Sequence, residues 1–194
     1  LQQSGRSTSW SLIANNLFSQ NNFINTYQYQ NLYSTVFNGM INDSDTLIVS
    51  GLSYKCNDSS TCYQGFYISK IDTLGKIIQD TVIIEEDDDI VTEDTPILCK
   101  TIDGGFFLVG ELLGSNAGYL VKLGRNLDLK FSKKYSENPN DILSIRNRGI
   151  ICLNGQYYIL SIKQHANYQR ITHLIKIDSL GRLIWDKPFY REGD

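Results

Sequence analysis

Apolar residues fall in short runs separated by polar clusters that carry glycine, and the runs return at a fixed interval. The segment Tyr67-Ile68-Ser69-Lys70-Ile71-Asp72-Thr73-Leu74-Gly75 comes back as Tyr119-Leu120-Val121-Lys122-Leu123-Gly124-Arg125-Asn126-Leu127. It returns again as His173-Leu174-Ile175-Lys176-Ile177-Asp178-Ser179-Leu180-Gly181. Lys70, Lys122 and Lys176 are spaced by 52 and 54 residues, slightly above the usual period of a four-stranded propeller blade. Each copy predicts a strand, a polar turn and a second strand. The turns are Asn42-Asp43-Ser44-Asp45, Asp103-Gly104-Gly105 and Asn154-Gly155. The last two are strong hairpin signals, because tight hairpins need positive φ and these residues tolerate it. The signature itself is the third strand. An Asp-x-x-Gly turn leads to the fourth, over 76–84, 127–135 and 182–189.

Runs such as Phe106 to Val109 and Tyr157 to Leu160 are apolar on consecutive positions. A strand with one wet face alternates, whereas one covered on both faces does not. Four-stranded sheets with two apolar faces must stack on one another. The expectation is therefore an all-β chain: β-propeller blades of four antiparallel strands, about three of them, part of a larger propeller. The blades span 34–90, 91–141 and 142–190. Residues 1–33 form an N-terminal segment, in which Asn22 to Tyr27 resembles a fourth strand and is a candidate closing strand. Helical periodicity shows only weakly, near Trp10 to Phe18.

The runs Gly105-Phe106-Phe107-Leu108-Val109-Gly110 with Tyr119-Leu120-Val121-Lys122-Leu123, and Leu174-Ile175-Lys176-Ile177-Asp178-Ser179-Leu180-Gly181-Arg182-Leu183-Ile184-Trp185, carry a family resemblance. The chain resembles the propeller-type repeats of secreted and surface proteins of Bacteroidetes-type bacteria, many of them type IX secretion substrates. Gly124 and Leu127 depart from that pattern, standing where a turn Asp and a turn Gly are expected. The resemblance implies a bacterial, extracellular or cell-surface location. It also implies candidate O-glycosylation at Asp-Ser/Thr-apolar sites: Thr46, Thr73, Thr81 and Ser179.

Composition adds limits. The formal net charge is −3, from 18 basic and 21 acidic residues, which leaves no basic footprint for nucleic acid. No apolar run approaches the roughly 18 residues a membrane helix needs. Cys56 and Cys62 flank a polar loop and read as a disulfide. Cys99 and Cys152 sit in apolar segments and read as buried free thiols. Glu85-Glu86-Asp87-Asp88-Asp89 reads as a solvated inter-blade loop in preference to a calcium loop. His165 and His173 read as surface residues and not as a pair. Neither Gly-x-Ser-x-Gly nor His-Glu-x-x-His occurs; no catalytic residue, metal site or cofactor is expected. Tyr54 and Tyr63 are the candidate ligand-binding aromatics. The reading that follows is a non-enzymatic exported binding or scaffold protein for a protein or glycan ligand. The alternatives are a secreted glycan-active enzyme with an axial site, and a spacer module of a long adhesin.

Overall fold

The computed structural model describes residues 11–13, 24–26, 35–57, 61–85, 88–91, 97–135 and 142–189. Every regular element among them is a strand. β1 (Ser11–Ile13) and β2 (Ile24–Thr26) form a two-stranded antiparallel pair. β3 (Thr35–Asp43), β4 (Thr46–Asn57), β5 (Thr61–Ile71) and β6 (Ile77–Ile83) form the first up-and-down sheet. The second sheet holds β7 (Ile90–Val91), β8 (Leu98–Lys100), β9 (Phe106–Leu112), β10 (Ala117–Leu123) and β11 (Leu129–Tyr135). The third is β12 (Ile142–Leu153), β13 (Gln156–His165), β14 (Arg170–Ile177) and β15 (Leu183–Phe189).

Register makes the three sheets copies of one blade. The signature lysine faces a second-strand residue and a fourth-strand residue in each: Ile48 and Gln79, Phe107 and Phe131, Tyr158 and Trp185. β3 and β12 carry the same bulge, over Phe37/Gly39 and Asn147/Gly149. The first strand of the second blade is broken at the matching place. β7 and β8 both pair with β9, and the break lies between Val91 and Leu98.

The blades stack front to back. Phe66, on the front of the first blade, stacks on Tyr119, on the back of the second, at 6.3 Å between ring centroids. Phe107, on the front of the second, meets Tyr157, on the back of the third, edge to face at 4.9 Å. Outer strands reach the next blade's turn in both cases. Gln79 donates to the Asn126 carbonyl at 2.5 Å, and Lys133 and Tyr135 donate to the Leu180 and Gly181 carbonyls at 2.6 Å. One relation thus carries each blade to the next. It buries Ile48, Ile68, Phe66, Phe107, Val109 and Leu120 completely, at about 1.5–3 kcal/mol for each large side chain. The same front face on the third blade is bare: Ile151, Leu160 and Phe189 are 59%, 45% and 57% exposed.

The expected Asp-x-x-Gly turns form. Asp72 accepts from the backbone N–H of Leu74 and Lys76, Asp178 from Leu180 and Arg182, and Gly75 and Gly181 take positive φ. The departing turn keeps the same backbone: Leu127 N–H donates to the Gly124 carbonyl with Leu127 at φ 55°. Leu127 is buried, so apolar packing offsets a conformation that costs a non-glycine residue about 1–2 kcal/mol.

Several expectations are corrected. Ile24–Thr26 is a strand, but its partner is Ser11–Ile13, and Ser11–Ile13 is itself extended where the weak helical pattern lay. Ile90 belongs to the second blade, through Leu112. Cys99 is buried as expected, but Cys152 is exposed, although it stands opposite Tyr157 on the back of the third blade, the side that meets the second. The acidic run is not a solvated loop in its described residues. Asp88 is buried and accepts from Gly114 N–H (2.6 Å), Ser115 N–H (3.1 Å) and the Ser115 hydroxyl (2.7 Å). Asp89 accepts from Gln64 N–H at 2.7 Å. Glu85 binds the Tyr119 hydroxyl and Lys134 at 2.7 and 2.8 Å. These carboxylates satisfy backbone donors and a cation that burial would otherwise strand. Burial opposes the ionised form of Asp88, yet the Ser115 and Gly114 hydrogen bonds win and hold it below the usual carboxylate range.

Candidate functional site

The back of the third blade does not seat fully against β11. A cleft of about 180 Å³ remains, walled by Tyr135, Ile145, Ile159, Ile175 and Leu183, with Lys134, Asn147, Lys163 and Asp186 as its polar groups. The bulge at Asn147 turns its amide onto the second blade, where Nδ2 donates to the Gly110 and Tyr119 carbonyls at 3.0 and 3.3 Å. Glycine at 118 keeps that approach open. A Cβ at Gly118 would lie 3.1 Å from the Asn147 amide nitrogen.

Lys163 is 2% exposed and its ammonium is bound to Asp186 Oδ2. The other carboxylate oxygen of Asp186 meets His173 Nδ1 at 2.7 Å. The ring of His173 lies 6.0 Å from that of His165, tilted by 31°. A chain of polar groups therefore runs from the cleft wall through Asp186 to two imidazoles. Burying Lys163 alone would be costly; pairing it with a carboxylate makes the burial tolerable. At the cleft mouth, Lys134 is held by Glu85. Burial lifts the Tyr135 hydroxyl above the ordinary tyrosine range, and Asp178 nearby adds to the effect. The floor is apolar, and its polar members are pinned by partners. Such a cleft can position a ligand without rearranging.

The histidines correct the expectation of unpaired surface residues: His173 is buried and the two rings meet. The signal for this lay in the repeat. Asp80, Ser132 and Asp186 each stand five residues after the turn position, and Tyr67, Tyr119 and His173 share the first signature position. Tyr67 donates to Asp80 at 3.2 Å as His173 meets Asp186. The third blade has exchanged a tyrosine for a histidine at a structural position. Lys163 gave no such signal, since its counterparts in register are Ser53 and Leu112.

The residues singled out in the sequence lie elsewhere. Cys56 and Cys62 are direct cross-strand partners at the end of the β4–β5 ribbon. Tyr54 is opposite Gln64 and Tyr63 opposite Lys55, so the two tyrosines project to opposite faces and do not make one platform. Thr73 and Ser179 are exposed in the Asp-x-x-Gly turns, whereas Thr46 and Thr81 are half-buried and Thr46 Oγ1 donates to the Asp43 carbonyl at 2.9 Å. Among the described residues no group of three His, Cys, Asp or Glu is placed to hold a metal.

Repeated four-stranded sheets with a common front-to-back relation define the class, an array of β-propeller blades. No family model matches the chain and no curated protein matches it. Solved structures similar to it include a cobalt-substituted apocarotenoid oxygenase from Synechocystis, at 8% identity and a TM-score of 0.49, over 98% of this chain and 43% of that one. A GH43 endo-arabinanase from Bacillus licheniformis is similar at 14% identity and a TM-score of 0.46, over 84% of this chain and 61% of that one. A variant of the Synechocystis oxygenase follows at 9% identity and a TM-score of 0.44, over 89% and 39%. The chain thus spans less than two thirds of each of these structures. At such identities and scores the fold assignment rests on the sheets and interfaces described above.

Proposed function

We propose that the chain is an exported, non-enzymatic binding module, and that its ligand is a protein which inserts an apolar side chain into the cleft between the second and third blades. The carrying observation is the cleft itself, with apolar walls and polar groups already engaged by partners. Its size favours a side chain over a free small ligand, since about 180 Å³ is below the ~300–1,000 Å³ of ordinary small-molecule pockets. Export to the surface of a Bacteroidetes-type bacterium, by type IX secretion, is supported by the resemblance of the repeats. Glycan attachment is supported best at Thr73 and Ser179, which are exposed.

The test is selection of a displayed random-peptide library on the intact chain, with Leu183→Trp as a counter-selection that fills the cleft. Enrichment of peptides with a common apolar anchor, lost on Leu183→Trp, supports the reading. Turnover of a glycan panel that disappears in Asp186→Asn would overturn it in favour of the enzyme alternative. A Cys56–Cys62 disulfide belongs to the same proposal and is supported by their direct opposition across the ribbon. Thiol titration should then find Cys152 alone in the native protein. Cys99 should join it only in denaturant, since burial raises its thiol to about 12. Four reactive thiols in denaturant without reductant refute the disulfide.

A second reading, a scaffold or spacer in which a further blade of the same repeat covers the third, is favoured by the bare front face. Tyr158 and Trp185 lie 6.0 Å apart there as Phe107 and Phe131 lie 6.2 Å apart on the second blade, where Tyr157 packs on Phe107. The face carries Lys176 and Lys187, which disfavours pairing with its own copy.

A further inference from the structure

We propose that His165 and His173 form a binding site for one borderline divalent transition ion, of the zinc, copper or nickel class. Both Nε2 atoms are buried and have no hydrogen-bond partner. An unsatisfied buried nitrogen costs about 1–3 kcal/mol, and two of them on neighbouring rings call for a bound species. Tautomer logic points the same way. Asp186 accepts at His173 Nδ1, so a neutral imidazole carries its proton there and presents a lone pair at Nε2. A carboxylate behind a histidine is the usual second support of a metal ligand, fixing ring orientation and raising basicity.

The ring separation fits. With a metal–nitrogen bond of about 2.0–2.1 Å, two imidazoles on one ion have centroids at most about 6.4 Å apart, and about 5.2 Å at a tetrahedral angle. The observed 6.0 Å lies within that range and is near its wide end. His165 is half-exposed beside the β13–β14 turn, where its backbone N–H donates to the Gln169 carbonyl. Its ring can therefore swing to close the angle. Lys163 occupies the other Asp186 oxygen and offsets that carboxylate's charge. Imidazole nitrogen as the ligand atom selects zinc, copper or nickel over calcium or magnesium, which prefer oxygen. Water or an incoming ligand would complete the coordination.

The test is calorimetric titration of the intact chain with zinc chloride and nickel chloride, on a Cys152→Ser background that removes the exposed thiol. One ion per chain is expected, weakened at least tenfold by His165→Gln and by His173→Gln. Asp186→Asn, which leaves both imidazoles, should weaken it about 10–100-fold. A second readout avoids variants altogether. The chain has 2 histidines, so imidazole nitrogen spectra show two rings, and both Nε2 signals should move on adding zinc. No saturable uptake, equal binding by the double variant, or unmoved Nε2 signals would overturn the site and leave a bridging water as the occupant.

Discussion

Phe107 and Tyr158 occupy one repeat position, opposite the signature lysine on the front of successive blades. The structure gives them different energetic weights, and replacing each by alanine measures the difference. Phe107 is fully buried, packs edge to face on Tyr157 at 4.9 Å and on Phe131 at 6.2 Å, and has the Lys122 ammonium 5.1 Å from its centroid. Removing such a ring leaves a cavity and costs about 3–5 kcal/mol. Tyr158 is half-buried and keeps Trp185 at 6.0 Å and the Lys176 ammonium at 5.7 Å. Its loss costs the aromatic contact and a weak cation–π term, together about 1–2 kcal/mol. For a chain of this size, 1 kcal/mol moves the melting temperature by about 2–4 °C. Phe107→Ala should therefore lower it by roughly 10 °C and Tyr158→Ala by roughly 4 °C. Thermal unfolding followed by circular dichroism reads both. Equal losses would refute the front-to-back argument, because they would mean that the third blade's front is covered as the second's is.

The other predictions test the turns and the acid limb. Leu127→Gly relieves a positive φ worth about 1–2 kcal/mol but removes a buried leucine worth about 1.5–3 kcal/mol and adds glycine's entropy cost. Net destabilisation of about 1–2 kcal/mol is expected, and a stabilised variant in urea unfolding would refute the packing account. Gly181→Ala should cost about 2 kcal/mol or more. Its φ is +66°, and a Cβ would meet Leu120 Cδ2 at 2.8 Å across the blade interface. Gly104→Ala, at φ +80° but with the nearest atom 3.9 Å away, should cost only about 1 kcal/mol, as chemical denaturation of the pair would show. The Lys122 hydrogen bond, helped by Thr101, lowers the Asp103 carboxyl from 3.8 to about 2. A depressed carboxylate stabilises fully above its unfolded pKa and loses that contribution as pH falls through the folded one. Stability should therefore drop between about pH 4 and pH 2, and Asp103→Asn should flatten that limb of a melting-temperature profile.

Much of the fold was legible because a blade is a local object. Strand, hairpin turn, signature strand and Asp-x-x-Gly turn follow one another within about 50 residues, and each announces itself by turn chemistry and apolar runs. Even the departure at Leu127 kept its turn, since the backbone geometry is shared and burial holds the leucine in place. The site was legible only in part. His173 and Asp186 stand at repeat positions that a comparison of the three copies marks, but Lys163 has no lysine counterpart in the other blades, where Ser53 and Leu112 stand in register.

Which faces meet was decided in three dimensions. Cys99 and Cys152 lie in similar apolar segments, and the acidic run around Asp88 looks like surface in any local reading. Cys99, opposite Phe107 on the front of the second blade, is covered, whereas Cys152, opposite Tyr157 on the back of the third, stays exposed. Asp88 is drawn inward because the backbone donors of Gly114 and Ser115, 26 and 27 residues away, need an acceptor there. Sequence alone determined the repeated sheets through short-range periodicity and turns; burial, ion pairing and the meeting of two histidines depend on long-range contacts that only stacking creates.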